Sequence, residues 1–454
     1  PPHFKSTTRK TRFGFKSRGL GDVYKRQAVL QHCTEVRILQ ARVQEGTPPV
    51  ICADMPGATF AATARVRADT VVQMAELFAG GFSGWSEAAW TLWTQGQPLR
   101  TAWLLDHDTN WLRAATVRDR QTQVATNPGE LQTACQPDHA DARIYVVADV
   151  KDSWWHKLFG DLPVQVVTVS SPCPPWSQAG TGRGLHSDDG RLIVTLASTL
   201  AWAETPIVLM EQVPGILRHP HWPLVKTAWE HAGFHLIHLE EVDISPLLAT
   251  RRTRVLMVWA HHSHQLPQHM DLNFPFPPVL PPTLISSGAL YDLLPALQAQ
   301  YRLSPQAEAM CRDPDLFPAS LSLQGLTYDQ VRIRTASQQA PTIVAAYGAQ
   351  HELPESHLRQ GGLHTTLVRF RGTDRFFSGP EVASFHGNVR PLHLDANLKT
   401  QMRMLGNSIT TGHAAIGLLR GLMALGPNVL VADPMELLHG TITMRTRSSN
   451  SLVV

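Results

Sequence analysis

Apolar runs recur along the chain, and most of the segments between them have a helical pattern. The runs are rich in β-branched residues, and several end in an acidic residue or a turn; they cover residues 71–78, 101–105, 144–148, 164–169, 207–210 and 255–259. Helix-compatible segments include residues 190–204 and 222–232. Strands that alternate with helices are typical of a sheet covered on both faces. The pattern therefore predicts an α/β fold with a doubly wound, mixed but mostly parallel sheet.

The pattern changes after Trp259. His261-His-Ser-His264 leads into a proline-dense stretch, and little strand–helix alternation follows until about residue 371. We expect a second, smaller and irregular domain in this region. The histidines lack cysteine or acidic partners at metal-ligand spacing, so a solvated loop is favoured over a zinc site.

Regular structure returns at Ser378. The stretch Ser378-Gly-Pro-Glu381 predicts a capped helix start, because the serine can accept from the first turn while the glutamate reaches back. Residues 398–425 have a continuous helical pattern that stops at Gly426-Pro427. Residues 441–454 are polar, and we expect a frayed end there.

Composition narrows the class of protein. The chain has 454 residues, is 43% hydrophobic and has no apolar run of membrane-spanning length, so we expect a soluble protein with no membrane partner. Its five cysteines are widely spaced without a CxxC pair, which argues against disulfides and a cysteine-rich zinc site. This favours a reducing intracellular compartment, the nucleus in a eukaryote or the cytoplasm in a bacterium.

Charge is unevenly distributed. Residues 1–27 hold eight Lys or Arg and one acid without periodicity, as in a disordered tail, a transit-like peptide or a sequence scar. The other residues, 32 basic and 36 acidic, carry a net charge of −4. Nucleic-acid binding must therefore come from local basic patches.

The most informative loop is Ser171-Pro-Cys-Pro-Pro-Trp-Ser177, which follows the apolar run 164–169. Ligands of open α/β sheets bind at the C-terminal ends of the strands. The flanking prolines restrict the backbone at Cys173 and so fix the direction of its sulfur. The residues alone leave two interpretations open, a nucleophile or a buried cysteine in a rigid turn.

Three strand ends together predict a nucleoside-containing cofactor. The first leads into a glycine-rich turn over residues 78–84, the second ends at Asp106, placed to bind ribose hydroxyls, and the third leads to Asp149. There is no GxxxxGK[ST] loop, which argues against ATP. An adenosyl cofactor with few or no phosphates fits these features, and S-adenosylmethionine is such a cofactor.

Candidate polar residues follow on the same edge. Glu211 comes after the apolar run 207–210, where a carboxyl group can act as an acid or merely cap a loop. Arg252 and Arg254 precede the next strand, and a solvated basic turn is the alternative interpretation.

In this order the motifs resemble those of the C5-cytosine-specific DNA methyltransferase family over residues 71–425. Further similar motifs are Gly190-Arg-Leu192, Arg375–Glu381 with Phe385-His-Gly387, and Leu405-Gly-Asn-Ser-Ile409. The resemblance implies a Rossmann-like methyltransferase fold with a target recognition domain, and S-adenosylmethionine as cofactor. It also implies DNA as partner, base flipping, a covalent cysteine adduct and no metal; we expect a monomer.

The resemblance assigns roles by position. Cys173 is the expected nucleophile, Glu211 the acid and Arg254 the ligand of the base O2, with Arg252 in support. The expected cofactor contacts are Phe78, Ala79, Gly80, Gly84, Asp106, Asp149, Val150, Pro172, Asn407 and Ser408. The expected divisions are a tail or scar (1–27), an N-terminal extension (28–70), a catalytic and cofactor-binding domain (71–260), a target recognition domain (261–374), the C-terminal part of the catalytic domain (375–425) and a tail (426–454).

The sequence departs from the family pattern at four places. The glycine turn has a one-residue insertion within residues 81–84, Pro174 stands where the family often has Gln, Gln212 replaces an Asn, and Thr250 replaces a Gln. The substituted groups support loops rather than react, so altered activity is expected rather than loss of the reacting groups.

Three alternatives stay open. One is a transfer-RNA cytosine-C5 methyltransferase of the same fold, although the length of region 261–374 favours a DNA-reading domain. Another is a catalytically silent homologue that binds DNA or cofactor. A cysteine hydrolase would need a paired histidine, and His186 is the candidate nearest to Cys173 in sequence.

Overall fold

The computed structural model describes residues 71–111, 122–136, 143–177, 180–268, 270–274, 282–285, 290, 301–302, 333–345, 347, 366–388, 390, 392, 394, 398–426 and 429–448. The predicted tail 1–27 and extension 28–70 lie outside the described residues. Within the described part, no helix is both long and apolar enough to cross a bilayer.

An eight-stranded sheet with the order β3-β4-β2-β1-β5-β6-β8-β7 forms the centre of the molecule. Its strands are β1 (Val72–Leu77), β2 (Leu99–Asp106), β3 (Gln123–Ala125), β4 (Ile144–Val147), β5 (Val166–Val169), β6 (Ile207–Gln212), β7 (Phe234–Asp243) and β8 (Thr253–His261). Neighbours from β3 to β6 pair in parallel, whereas β8 is antiparallel to β6 and β7. The predicted mixed, mostly parallel sheet is confirmed. Sequence reasoning missed β3, which is short, and β7, which is polar and lies at an edge.

Helices cover both faces of this sheet, as predicted. They are α1 (Gly84–Thr94), α2 (Pro128–Ala134), α3 (Leu158–Asp161), α4 (Asp188–Trp202), α5 (Gly215–Arg218), α6 (Trp222–His231), α7 (Gly379–Phe385), α8 (Leu398–Gly406), α9 (Thr411–Leu425) and α10 (Pro434–Ser448). Side chains alternate along β8: Met257 and Trp259 join the core under α4 and α6, while Leu256 and Val258 join the core under α1, α9 and α10. Burial on both faces explains why apolar residues predominate in the central strands.

The predicted helix over residues 398–425 is wrong in one respect, because two helices occupy this stretch. Helix α8 ends at Gly406 and α9 begins at Thr411. Thr410 caps α9 by accepting from the backbone N–H of His413. The apolar periodicity continues across the break, so the pattern alone did not reveal it.

The frayed end expected over residues 441–454 is also wrong up to Ser448. Helix α10 extends to that residue, and Leu437 and Leu438 on its first turns are buried. The amide of Gln95 donates to the hydroxyl of Thr441 at 2.9 Å, which ties the helix to α1. Residues 449–454 lie outside the described part.

A separate three-stranded sheet contains β9 (Ile333–Thr335), β10 (Leu367–Phe370) and β11 (Thr373–Arg375). It lies mostly within the predicted recognition region, although β11 crosses the predicted boundary between residues 374 and 375. The capped helix start predicted at Ser378 is confirmed, with both hydrogen bonds of the capping box present.

Candidate active site

The Pro-Cys loop leaves the C-terminal end of β5 and turns at once. The carbonyl of Cys173 accepts from the N–H groups of Trp176 at 3.0 Å and Ser177 at 3.1 Å, which closes a tight turn. Cys173 itself is a half-buried free thiol. The loop therefore holds its cysteine at the edge of the sheet without burying it completely.

Gln212 holds this loop from the neighbouring strand. Its amide nitrogen donates to the carbonyl of Ser171 at 2.8 Å and to the Ser171 hydroxyl at 3.2 Å. Its amide oxygen accepts from Val213 N–H at 2.9 Å. The glutamine at this departure from the family pattern thus fixes the backbone two residues before the cysteine.

Glu211 forms a nearly buried ion pair with Arg254. The Nε of Arg254 lies 2.7 Å from Oε1 of Glu211, and each side chain is 10% exposed. The position of both residues corrects the sequence prediction, because β6 continues through Gln212 and β8 begins at Thr253. Both residues therefore lie inside strands. The alternative interpretation of Arg254 as part of a solvated basic turn is wrong, because its side chain is nearly buried.

Cys173 shares the electrostatic environment of this pair. Burial raises the pKa of the Cys173 thiol, the positive charge of Arg254 opposes that rise, and the charge of Glu211 adds to it. The smaller opposing effect comes from Arg252. The structure thus brings a thiol, a carboxylate and a guanidinium together at one edge of the sheet.

Arg252 is buried and binds backbone carbonyls. Its Nη1 donates to Ile343 at 3.2 Å, and its Nη2 donates to Gly406 at 3.2 Å and Ser408 at 2.6 Å. Burial lowers the pKa of Arg252 to about 9, and the nearby charge of Arg254 acts in the same direction. Arg252 therefore connects the start of β8 to the turn between α8 and α9.

Thr250 and Pro174, the other two departures from the family pattern, also form hydrogen bonds that hold backbone segments in place. The hydroxyl of Thr250, which is fully buried, donates to the carbonyl of Pro341 at 3.2 Å. The carbonyl of Pro174 accepts from Thr181 N–H at 2.9 Å. Both residues therefore join chain segments near the candidate site, as the sequence analysis expected of them.

The glycine turn after β1 contains three residues in the left-handed region, Phe78 (φ 57°), Gly80 (φ 58°) and Ser83 (φ 47°). Two of these are not glycine, and such a conformation costs a side-chain-bearing residue roughly 1–2 kcal/mol. Ser83 is the N-cap residue of α1 but makes no side-chain capping bond. The inserted residue is thus accommodated by backbone strain at the helix entrance.

Asp106, the last residue of β2, fixes this turn. Its Oδ2 accepts from Gly80 N–H and its Oδ1 from Asp108 N–H, both at 2.9 Å. Burial raises the pKa of Asp106, and the two backbone hydrogen bonds oppose the rise. Sequence reasoning assigned this carboxylate to ribose and missed its contact with the turn.

The remaining candidate cofactor residues lie along the same edge. Asp149 is exposed, Val150 is buried and Pro172 is half-buried. In the turn between α8 and α9, Asn407 is exposed, and the half-buried Ser408 donates to the carbonyl of Leu405 at 2.6 Å. Gly84 brings the two turns together, because a Cβ there would lie 2.5 Å from the carbonyl oxygen of Ile409.

These residues fit an adenosyl cofactor. A Cβ added at Gly80 would meet nothing within 4 Å, so open space lies above the turn. Polar groups that suit ribose and adenine, the carboxylates of Asp106 and Asp149, border the same edge. Phe78, Ala79 and Gly84 complete the turn on which such a group would rest.

The histidines differ from expectation. His261 is buried, its Nδ1 lies 2.7 Å from the Ser263 hydroxyl, and burial lowers its pKa to about 4, so a solvated loop is wrong for this residue. Among the described residues, no three His, Cys, Asp or Glu side chains come together as a metal site. The ring of His186 packs against that of His221, with centroids 4.6 Å apart.

Sequence reasoning missed the pairing of several buried polar residues. Arg375 binds Glu381 at 2.7 Å, Arg390 binds Glu87 at 2.7 Å, and His413 lies buried near Arg252 and Arg254. The two residues of an ion pair are 6 positions apart for Arg375–Glu381 and 303 positions apart for Arg390–Glu87, and no periodic pattern in the sequence marks either pair.

Comparison with known proteins gave one family match. Residues 142–303 match the model described as C-5 cytosine-specific DNA methylase. A search of curated protein sequences gave no match.

The chain was also compared with solved structures. A putative DNA modification methyltransferase encoded within an E. coli prophage superposes with a TM-score of 0.52 at 15% identity, over 77% of this chain and 98% of that chain. The Entamoeba histolytica methyltransferase EhMeth gives 0.49 at 11% identity, over 78% and 98%. The S. pombe Dnmt2 methyltransferase gives 0.49 at 13% identity, over 78% and 97%. At such identities the likeness to the E. coli prophage protein concerns the fold.

The large sheet and the site at its edge define a protein with a Rossmann-like methyltransferase fold. Residues 142–303 match the family model of the C-5 cytosine-specific DNA methylases, which confirms the family resemblance of the motifs within that range.

Proposed function

We propose that this protein transfers a methyl group from S-adenosylmethionine to C5 of cytosine in DNA, through a covalent adduct with Cys173. One observation carries the proposal: the Glu211–Arg254 ion pair at 2.7 Å lies at the end of β6, and the Pro-Cys loop leaves the same end of the neighbouring strand β5. A thiol, an acid and a guanidinium at one edge are the groups that addition to a pyrimidine ring requires.

Cys173 supplies the nucleophile. As a thiolate it adds to C6 of the cytosine, which makes C5 electron-rich. Arg254 opposes the effect of burial on the pKa of Cys173 and so favours the thiolate. Gln212 and the flanking prolines hold the sulfur in place while the bond forms.

Glu211 and Arg254 bind the polar edge of the base. A proton shared between Glu211 and N3, together with the hydrogen bond from Arg254 to O2, keeps negative charge from accumulating on the ring. The 10% exposure of each side chain leaves the pair accessible from the sheet edge. Arg252, with its carbonyl partners, supports Arg254 rather than contacting the base.

The remaining steps restore the aromatic ring. C5 bonds to the methyl carbon as the carbon–sulfur bond breaks and a neutral thioether leaves. C5 then loses its proton to solvent, the electron pair of the C–H bond forms the C5–C6 double bond and expels the Cys173 thiolate, and the N3 proton returns to Glu211. When bound, the cofactor supplies an electrophilic methyl group on a sulfonium sulfur. Since C5 is stacked inside a duplex, the base must first leave the stack, at a cost of about a few kcal/mol.

A trapping experiment tests this function. Duplex DNA containing 5-fluorocytosine is incubated with the protein and S-adenosylmethionine, because fluorine at C5 cannot leave as a proton and the adduct persists. We expect a denaturation-resistant complex with wild type that disappears in Cys173→Ser. Cys135→Ser, the other described free thiol, is the matched control and keeps the complex.

Other outcomes contradict the proposal. A complex that forms only on RNA of the same sequence would assign the protein to RNA methylation. No complex on either nucleic acid, with intact binding of DNA or cofactor, would assign it to the silent homologues. A complex that survives in Cys173→Ser would exclude Cys173 as the nucleophile.

A further inference from the structure

His413, on the first turn of α9, is completely buried and hydrogen-bonded through both ring nitrogens. Its Nε2 lies 3.1 Å from the carbonyl of Val242, and its Nδ1 lies 2.7 Å from the hydroxyl of Thr410. A carbonyl can only accept, so Nε2 carries the proton and Nδ1 accepts from Thr410. The neutral ring therefore bridges two elements with a fixed tautomer.

Val242 is the residue opposite Arg254 in the β7–β8 ladder. The hydrogen bond from His413 thus ends on the strand position that faces the arginine of the candidate site. A shift of α9 would displace Val242, and through the β7–β8 ladder it would also displace Arg254. A single residue, Val242, therefore connects His413 to Arg254.

Thr410 belongs to the turn between α8 and α9, which also contains the candidate cofactor residues Asn407 and Ser408. Arg252, the residue before β8, binds the same turn through the carbonyls of Gly406 and Ser408. Two buried side chains from different elements therefore fasten one turn to one strand pair, so the turn cannot move independently of Arg254.

We propose that His413 is a positioning residue that, together with Arg252, fixes the cofactor-side turn relative to Arg254 of the base site. The inference rests on the function proposed above for these two sites. It explains why a buried polar ring stands in the first turn of a helix whose next residues, Ala414, Ala415 and Ile416, are buried and apolar.

The charge state of the ring is consistent with this role. Burial lowers the pKa of His413 well below its ordinary value, and the positive charges of Arg254 and Arg252 act in the same direction. A neutral ring adds no repulsion to two neighbouring guanidinium groups.

The test compares three variants. His413→Leu removes both hydrogen bonds, and His413→Gln keeps an amide that can donate to Val242. His156→Leu replaces a buried histidine on the opposite core, where Trp155 packs against it, and controls for the loss of a buried imidazole. All values are normalised to the folded fraction from urea titrations.

Two readouts separate positioning from stability. The first is the pH midpoint of Cys173 alkylation by iodoacetamide, followed by peptide mass spectrometry, which needs no substrate. Because Arg254 favours the thiolate, we expect His413→Leu to raise this midpoint by about half a pH unit. The second is kcat and KM for methyl transfer, where we expect a kcat lower by about tenfold, with KM for DNA little changed.

His413→Gln is expected to recover most of both effects, and His156→Leu to show neither. The proposal would be overturned if His413→Leu had the same alkylation midpoint and the same kcat as wild type. It would also be overturned if His413→Gln recovered neither the midpoint nor kcat. If wild type transfers no methyl group to DNA, the proposed function fails, while the alkylation midpoints still decide whether His413 positions Arg254.

Discussion

The parallel and antiparallel parts of the large sheet present their candidate residues differently. In the parallel part most of these residues stand in loops after the strands, as Gly80 does after β1 and Cys173 after β5, and Asp106 is the last residue of its strand. At the β6–β8 junction, Glu211 and Arg254 lie within the strands. An antiparallel strand begins at the edge where its neighbour ends, so its first residues meet the last residues of that neighbour.

The difference concerns what holds each residue in place. Residues in loops are held by a few local hydrogen bonds, which include those of Gln212 to Ser171 and of Asp106 to Gly80. Glu211 and Arg254 are held by the strand ladder and by their ion pair. We therefore expect loop and strand residues to respond differently to substitution.

The largest effect is expected from breaking the ion pair within the strands. Arg254→Ala leaves Glu211 nearly buried without its partner, which should lower the free energy of unfolding by about 3 kcal/mol and kcat by roughly 100-fold or more. Urea denaturation and methyl-transfer assays measure both. The double variant Glu211→Gln with Arg254→Met should recover stability but not activity; recovery of activity would refute the catalytic role of the pair.

The pH dependence of the reaction tests the thiol in the loop. Burial raises the pKa of Cys173, so the protonated thiol dominates at neutral pH and the rate should rise about tenfold per pH unit until the thiolate forms. Arg254→Ala removes the opposing charge and should move this rise to higher pH. Single-turnover rates between pH 6 and about 10 measure it; a pH-independent rate would contradict the assignment.

Gln212 tests the dependence of the Pro-Cys loop on one hydrogen bond. Gln212→Ala leaves the carbonyl of Ser171 without this donor, and we expect kcat to fall about tenfold and stability by about 1 kcal/mol. Gln212→Asn, with the family residue, should differ from wild type by no more than about threefold if the shorter amide still reaches the loop. Equal rates for Gln212→Ala and wild type would show that the loop does not need this contact.

Gly84 tests the contact between the glycine turn and the turn before α9. A Cβ would lie 2.5 Å from the carbonyl of Ile409, so Gly84→Ala should separate the two turns and weaken binding of S-adenosylmethionine by about fivefold. Calorimetry measures the affinity. Gly96→Ala is the control, because a Cβ there meets nothing within 4 Å, although its left-handed backbone costs some stability. Equal affinities in the two variants would contradict the proposed contact.

The sequence predicted the central strands accurately because those strands are buried on both faces. Val166–Val169 and Ile207–Gln212 are buried throughout, and most of their residues are apolar. Apolar continuity predicted the end of β6 two residues too early. Glu211 and Gln212 are polar, but they still pair with β8. The polar edge strand β7 and the break between α8 and α9 carried no apolar signal of their own.

The sequence by itself determined the α/β class, the order of the motifs and the residue types of the candidate site, because apolar periodicity and motif spacing are local properties of the chain. The partners of those residues were decided only by tertiary structure. The bonds of Gln212 to Ser171, of Arg252 to Ser408 and of His413 to Val242 join positions 41, 156 and 171 residues apart. Buried polar groups must find partners wherever the fold brings them, and no spacing rule specifies such partners in advance.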